Sequence, residues 1–404
     1  MKKWRASVAW GLTAFLLVLG ISATSHAANI SGRSSTVVEW YDTPSEETAV
    51  PIYEYLMLNA RDLWGGWTFH GYGRAGEDAA DEVDVDSRLY SAYLRNKDLV
   101  DGLDMRLGRQ FVSTTAGASV VDGADLRYTV ADKFTLRGLG GIGVSYDATY
   151  HSDDYFAGVE VSAEDLIKGL LLELSYVQTW DQGDLAKEML GLSADYAFSP
   201  KLHLYNETQY SLLYEEVTYQ LFGVSSSFGR DWHARVEYLF SVPVFDSTSI
   251  YSVFAVDDYE EVMGEIEYRI SKTHRSYLRL THEMYEEFDD ADVIDLGIET
   301  VGTKPYSYYL AGVMRITDEG QEMSGAKCHI GYEITEAIEA GVGANVDVLE
   351  RRLEDDDETT SSRIWLDGSY RFSKKMNFEG KVEYVESDLW EEYYRGRVRF
   401  NYYF

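Results

Sequence analysis

The side chains that could carry chemistry are few and scattered. The chain has one Cys and eight His. A single thiol cannot build a four-thiolate metal site, and no Cys-x-x-Cys-His is present to attach haem covalently. Cys328-His329 therefore reads as a structural pair, and His203, His233 and His282 show no zinc-ligand spacing. Asp355-Asp356-Asp357 lacks the fixed spacing and turn glycine of a calcium loop. The run Gly138-Leu139-Gly140-Gly141-Ile142-Gly143 is glycine-rich but lacks the Lys and Ser/Thr of a phosphate loop. It reads instead as a strand with close packing or bends. No local signature marks a Ser nucleophile beside a His and a carboxylate, so no enzymatic activity, no metal and no cofactor held by this chain are expected.

The patterned chemistry is electrostatic. Arg395, Arg397 and Arg399 recur at every second position, as do Glu379, Lys381 and Glu383, and again His233, Arg235 and Glu237. On strands these sets each occupy one face. The first two would lie side by side as a mildly stabilising ladder of opposite charges. Apolar residues fill the gaps: Trp232, Ala234, Val236, Tyr238 and Phe240; Phe378, Gly380, Val382 and Tyr384; Tyr394, Val398, Phe400, Tyr402 and Phe404.

Such alternation over about ten residues is the form of an outer-membrane barrel strand. A sandwich with one wet face alternates in the same way. The start of the chain favours the barrel. Lys2, Lys3 and Arg5 precede an apolar stretch from Val8 to Ile21, and Ser25-His26-Ala27 supplies a small-x-small cleavage site. This is the layout of a secretory signal peptide, residues 1–27, cleaved on export. Beyond it no apolar run is long enough for a transmembrane helix. Aromatic residues near strand ends and the terminal Phe404 point the same way. Residues 28–404 are therefore expected to form one transmembrane antiparallel up-and-down β-barrel in a Gram-negative outer membrane, with outer-membrane lipid as its surroundings.

Turns give the strand count. Phe198-Ser199-Pro200-Lys201, Ile270-Ser271-Lys272-Thr273 and Phe372-Ser373-Lys374-Lys375 repeat one tight basic turn, echoed at Lys97, Lys133, Lys168, Arg230 and Lys304. Each hairpin takes about 35 residues, two membrane strands with a short turn and a longer loop. The total is about 20 to 22 strands, with the basic turns periplasmic. The opposite connections are acidic: Glu77 to Asp84, Asp153-Asp154, Asp257-Asp258, Glu286 to Asp292 and Glu354 to Glu358. The formal charge of −33 excludes nucleic acid as a natural partner, and acidic outer loops would gather cations at the mouth.

A ring of about 22 strands is roughly 40 Å across at its backbone, a width that natural barrels usually plug. No spare domain is present to do so. The one candidate for an inner constriction or partner loop is Phe245 to Tyr259, with Phe245, Ile250, Tyr251 and Phe254 as its apolar contacts.

The signal peptide, short strands, minimal turns and Phe404 resemble porin-like outer-membrane barrels over the whole mature chain. More narrowly, Gly108-Arg109-Gln110, Asp122-Gly123, and Val242-Pro243-Val244-Phe245-Asp246 through Ser252-Val253-Phe254 resemble porin-like proteins of Geobacter-type metal-reducing bacteria. Some members of that group sheathe a multihaem cytochrome in porin–cytochrome conduits. The resemblance implies a sheath for extracellular electron transfer, with periplasmic and extracellular multihaem c-type cytochromes as partners and haem supplied only by them. The alternative is a general or cation-preferring diffusion porin for small solutes.

Overall fold

The computed structural model describes residues 29–404, apart from 44, 46, 98, 132, 145–151, 244–257, 287–288, 302–304, 318–321, 351–357 and 389. Within this range the chain is almost entirely strand, and its one helical piece is the short turn Trp64–Gly66. Twenty-two strands form a closed antiparallel barrel, the shortest being Arg88–Asn96 and the longest Asp184–Ser199 and Glu358–Ser373. Each strand pairs with its neighbours in sequence. The ring closes where Asn29–Asp42 pairs with Trp390–Tyr403, from Arg33 opposite Tyr403 to Tyr41 opposite Arg395. A two-residue bridge, Thr48–Ala49, caps the first strand from the loop that follows it. Closure leaves no unpaired edge, the condition for exposing strands to a medium that offers no hydrogen bonds.

The period-two pattern sorts side chains between two surfaces. On Trp232–Ser241 the exposed apolar face carries Trp232 and Val236, the latter 56% exposed; Ile330 and Leu366 stand on the same outer surface at 59% and 63%. The opposite face is concave and charged. The register carries it from strand to strand, for example Lys327–Asn345–Arg363 across three strands.

Connections alternate between two rims. One bears Asn29, Phe404 and the turns with Lys97, Lys133, Lys168, Lys201, Arg230, Lys272, Lys374 and Lys375. It is not uniformly basic, since Asp62, Asp165, Asp231 and Glu336 share it. The other rim bears Glu82, Asp84, Asp153, Asp154, Glu286 and Asp290. Lys304, Asp257 and Glu354 to Asp357 lie outside the described residues.

One hairpin departs from the cylinder. The strands Leu103–Thr114 and Gly117–Val130 meet at Thr115 and Ala116, and this tip bends inward across two intervening strands. The Ala116 amide donates to Ser175 Oγ on Leu170–Asp181, at 2.9 Å. Gly191 forms the seat, since any Cβ there would run into the Ala116 nitrogen. At the base of the bend, Gly123 faces Gly108 and Gly141, and a Cβ on Gly123 would meet the Gly140 carbonyl and the Gly141 backbone. Gly108 itself has φ +123°, a conformation that favours glycine. Val112, Ala116 and Val121 pack on Leu139, Phe156, Val177 and Met189 in a buried cluster against the inner wall. Phe111 is left 63% exposed on the hairpin.

Candidate functional site: the charged inner wall

The ladder near the closure is built by register. Glu379 lies opposite Arg399, Lys381 opposite Arg397, and Glu383 opposite Arg395. Glu383 is 5% exposed and holds both Lys381 and Arg395 in ion pairs, while Arg399 reaches Glu379 at 4.0 Å. Lys381 also stands 4.8 Å over the Trp365 ring. Arg397 sits between Lys381 and Glu39 in the register. Glu39, Lys381, Glu383, Arg395 and Arg397 line a recess of about 420 Å³ with Tyr41 and Asp42.

His233, Arg235 and Glu237 belong to a second, larger recess of about 920 Å³. His233 faces Glu267 across the strand pair and lies 3.1 Å from Ser227 Oγ through Nδ1. Arg235 donates to Glu265 at 3.2 Å and to Glu237 at 3.4 Å, and the Tyr205 hydroxyl also donates to Glu237. From there the network continues: Arg279 binds Glu265 at 2.6 Å, and Arg275 joins Glu267 at 3.2 Å and Glu299 at 2.5 Å. Most of these groups are a fifth to two-fifths exposed, so they meet solvent while being fixed by their partners. Fixed charges of this kind bias which ions linger at a wall. No cluster of three or more metal-ligating side chains exists among the described residues.

Cys328-His329 lies on Met323–Thr335, where His329 Nε2 is 2.8 Å from Asp367 Oδ1 and its ring stacks between Tyr309 and Trp365. His203 and His282 occupy other strands, beside Asp195 and Asp292. The glycine-rich run forms the strand Phe134–Gly143.

Phe245, Ile250, Tyr251 and Phe254 lie outside the described residues. The sequence named that segment as the one candidate for an inner element, and the described residues supply a different one. The hairpin tip at Thr115 and Ala116 lies across the inner wall, held there by the buried cluster and by Arg137, whose Nη1 donates to the Ser113 carbonyl at 2.6 Å. The signals for it were present. Phe111-Val112 and Val120-Val121 are apolar on both faces where the rest alternates, and glycines stand at its base and its seat.

The sequence matches no known family profile and no curated protein. Solved structures share its shape. The siderophore receptor PirA from Pseudomonas aeruginosa aligns over 94% of this chain and 81% of its own, with TM-score 0.62 and 10% identity. The E. coli P pilus tip assembly intermediate PapC-PapD-PapK-PapG aligns over 94% of this chain and 61% of that one, with TM-score 0.57 and 10% identity. Pseudomonas aeruginosa OpdQ covers 94% of this chain and 99% of its own, with TM-score 0.50 and 10% identity. The fold is that of the porin-like β-barrels. The narrower likeness to Geobacter-type proteins finds no counterpart among these structures.

Proposed function

We propose that the chain is exported by a signal peptide cleaved after Ala27 and forms a channel for small solutes across a Gram-negative outer membrane. The observation that carries this reading is the contrast between the two barrel surfaces. The outer one presents exposed large apolar groups, as lipid contact requires, and the inner one presents hydrated, ion-paired charge. A hairpin lying on that wall narrows the bore from within, so the channel needs no added plug. The acidic rim faces outward and concentrates cations at the mouth. The lumen-facing residues Arg235, Glu237, Lys381, Glu383 and Arg395 would set the field that solutes cross. The sheath for a multihaem cytochrome is the second reading. The width of a 22-strand ring favours it, and the hairpin occupying part of the bore weighs against it.

Purification through a tag on this chain after gentle solubilisation separates the two. A haem-free preparation with large conductance in planar bilayers is expected. Co-purifying haem absorbance with little conductance would reject the channel in favour of the sheath.

A further inference from the structure

Every strand of the ring has two neighbours, but one pair stays together over only part of its length. Arg88–Asn96 pairs with Leu103–Thr114 from Asn96 opposite Met105 to Ala92 opposite Arg109, and no further toward the acidic rim. From there the second strand turns inward with the hairpin. Among the described residues, no strand meets Leu89, Tyr90 or Ser91 on that side. The other strand of the hairpin stays in the wall slightly longer, holding Phe134–Gly143 as far as Val121 opposite Gly143. The wall is therefore split toward the acidic rim along Leu89 to Ser91, about 10 Å of strand.

Alternation shows which surface leads into this split. Asp104 pairs with Arg95 on the inner wall, so Leu107, Arg109 and Phe111 continue the opposite, outer face. Leu107 is exposed there, as lipid contact requires. Two residues on, Arg109 grips Asp122 through Nε and Nη2 at 2.8 and 2.7 Å, and its Nη1 reaches the Leu89 carbonyl at 3.4 Å across the foot of the split. Charge on the lipid side of a barrel is costly unless water or polar groups reach it, so the foot of the split is wet. Phe111, next on the same face, is carried inward with the hairpin and stays exposed. One strand face thus runs from lipid at Leu107, over a polar step at Arg109, to the bore at Phe111. Leu89 is half-exposed on the opposite lip.

We propose that the split is a side exit between the bore and the outer leaflet, used by lipid-soluble molecules with an apolar body and a single polar group. The polar group exchanges its water for the Leu89 carbonyl, for the Arg109–Asp122 pair, or for the backbone of Tyr90 and Ser91 that the parted strand no longer covers. The body meanwhile slides over Phe111 and Leu89. Pure hydrocarbon suits the place less well, because it leaves strand amides and carbonyls without hydrogen bonds. The channel reading concerns water-soluble solutes that cross from rim to rim; the side exit adds a class that leaves into lipid.

The test uses intact Gram-negative cells expressing the full chain, whose lipopolysaccharide leaflet slows the entry of apolar solutes. N-phenylnaphthylamine, an aromatic body with one N–H, brightens on entering lipid and reports the uptake rate. Uptake faster than in cells without the barrel is expected. It should slow at least about fivefold in Phe111→Asp and in Leu89→Asp, because an apolar body passing a charge strips its water. Leu366→Asp, also on the exposed outer surface but many strands away, should not slow it. Heat-modifiable migration shows that each variant is folded and present in equal amount. If Leu89→Asp fails to fold, Leu89→Asn serves and should slow uptake in the same direction. Slowing in Phe111→Asp alone puts the route down the bore and overturns the side exit. So do equal uptake in all variants, equal slowing in Leu366→Asp, and no gain over cells without the barrel. Bilayer recordings on the purified barrel judge the channel separately. Conductance without excess uptake rejects only the side exit, whereas uptake sensitive at both lips without conductance rejects only the channel.

Discussion

Replacing Gly191 with phenylalanine should release the inward hairpin while leaving the barrel closed. The seat leaves no room for a Cβ against the Ala116 nitrogen, so any larger side chain must lift the tip. Its hold can be sized from the contacts. Val112 and Val121, 1% and 0% exposed, are each worth about 1.5–3 kcal/mol in burial. The bond from the Ala116 amide to Ser175 adds about 1 kcal/mol. The hairpin is then held by roughly 4–7 kcal/mol, which at about 1.4 kcal/mol per decade corresponds to amide protection of about 10³ to 10⁵ at Ala116. Hydrogen exchange on the folded barrel reads this directly. Gly191→Phe should bring protection at Ala116 close to unity while strands away from the hairpin stay protected. Ser175→Ala removes only the hydrogen bond and should cost about fivefold. Single-channel conductance should rise in Gly191→Phe and not in Ser175→Ala. Full protection at Ala116 in Gly191→Phe would refute the seat, as would loss of protection throughout the barrel.

Three further outcomes are expected. Glu383→Gln leaves Lys381 and Arg395 without their shared carboxylate and should destabilise the barrel by about 1–3 kcal/mol, less than a fully buried pair because both cations are over a third exposed; urea midpoints in lipid vesicles measure it. With Cys328→Ser as background, Asp81→Cys on the acidic rim should react with an impermeant thiol reagent on whole cells and Lys272→Cys should not, and the reverse preference would turn the barrel over. In the loops of the acidic rim, a hydrogen bond and the like charge of Glu47 hold the Glu82 carboxyl above its usual range. This contact is complete below the ordinary glutamate range and is lost as pH rises through the folded value. Proteolytic nicking of loop 79–87 should therefore increase with pH in the wild type and not in Glu82→Gln.

Much of the fold was legible because an amphipathic strand in a barrel states its face at every residue. Trp232 to Phe240 and Asn377 to Tyr384 give both surfaces and the register that brings Glu379 to Arg399. The recurring Ser-Lys turns gave the count, since each must close a hairpin. The inward hairpin was not legible as such, because Phe111-Val112 and Val120-Val121 are apolar on both faces and the sequence does not say that Val112 and Val121 bury while Phe111 stays exposed. Nor was the meeting of Arg74 with Arg88, which face each other only through a bulge between Tyr72 and Gly73 that shifts the register. Spacing in sequence cannot reveal a bulge.

The seam between the first and last strands also governs the order of assembly. Ser35 donates to Asn401 in a buried hydrogen bond of 2.5 Å, joining positions 366 residues apart. The other strand pairs join neighbours in sequence and can form as local hairpins, with little loop entropy lost at each step. Among the described residues, closing the seam is the one strand pairing between elements far apart in sequence, and it cannot precede synthesis of Asn401. Until then the chain is an open sheet with two bare margins, Asn29–Asp42 and Trp390–Tyr403, each a template for pairing with another chain. The slow, aggregation-exposed step in the life of this protein is therefore the meeting of its two ends.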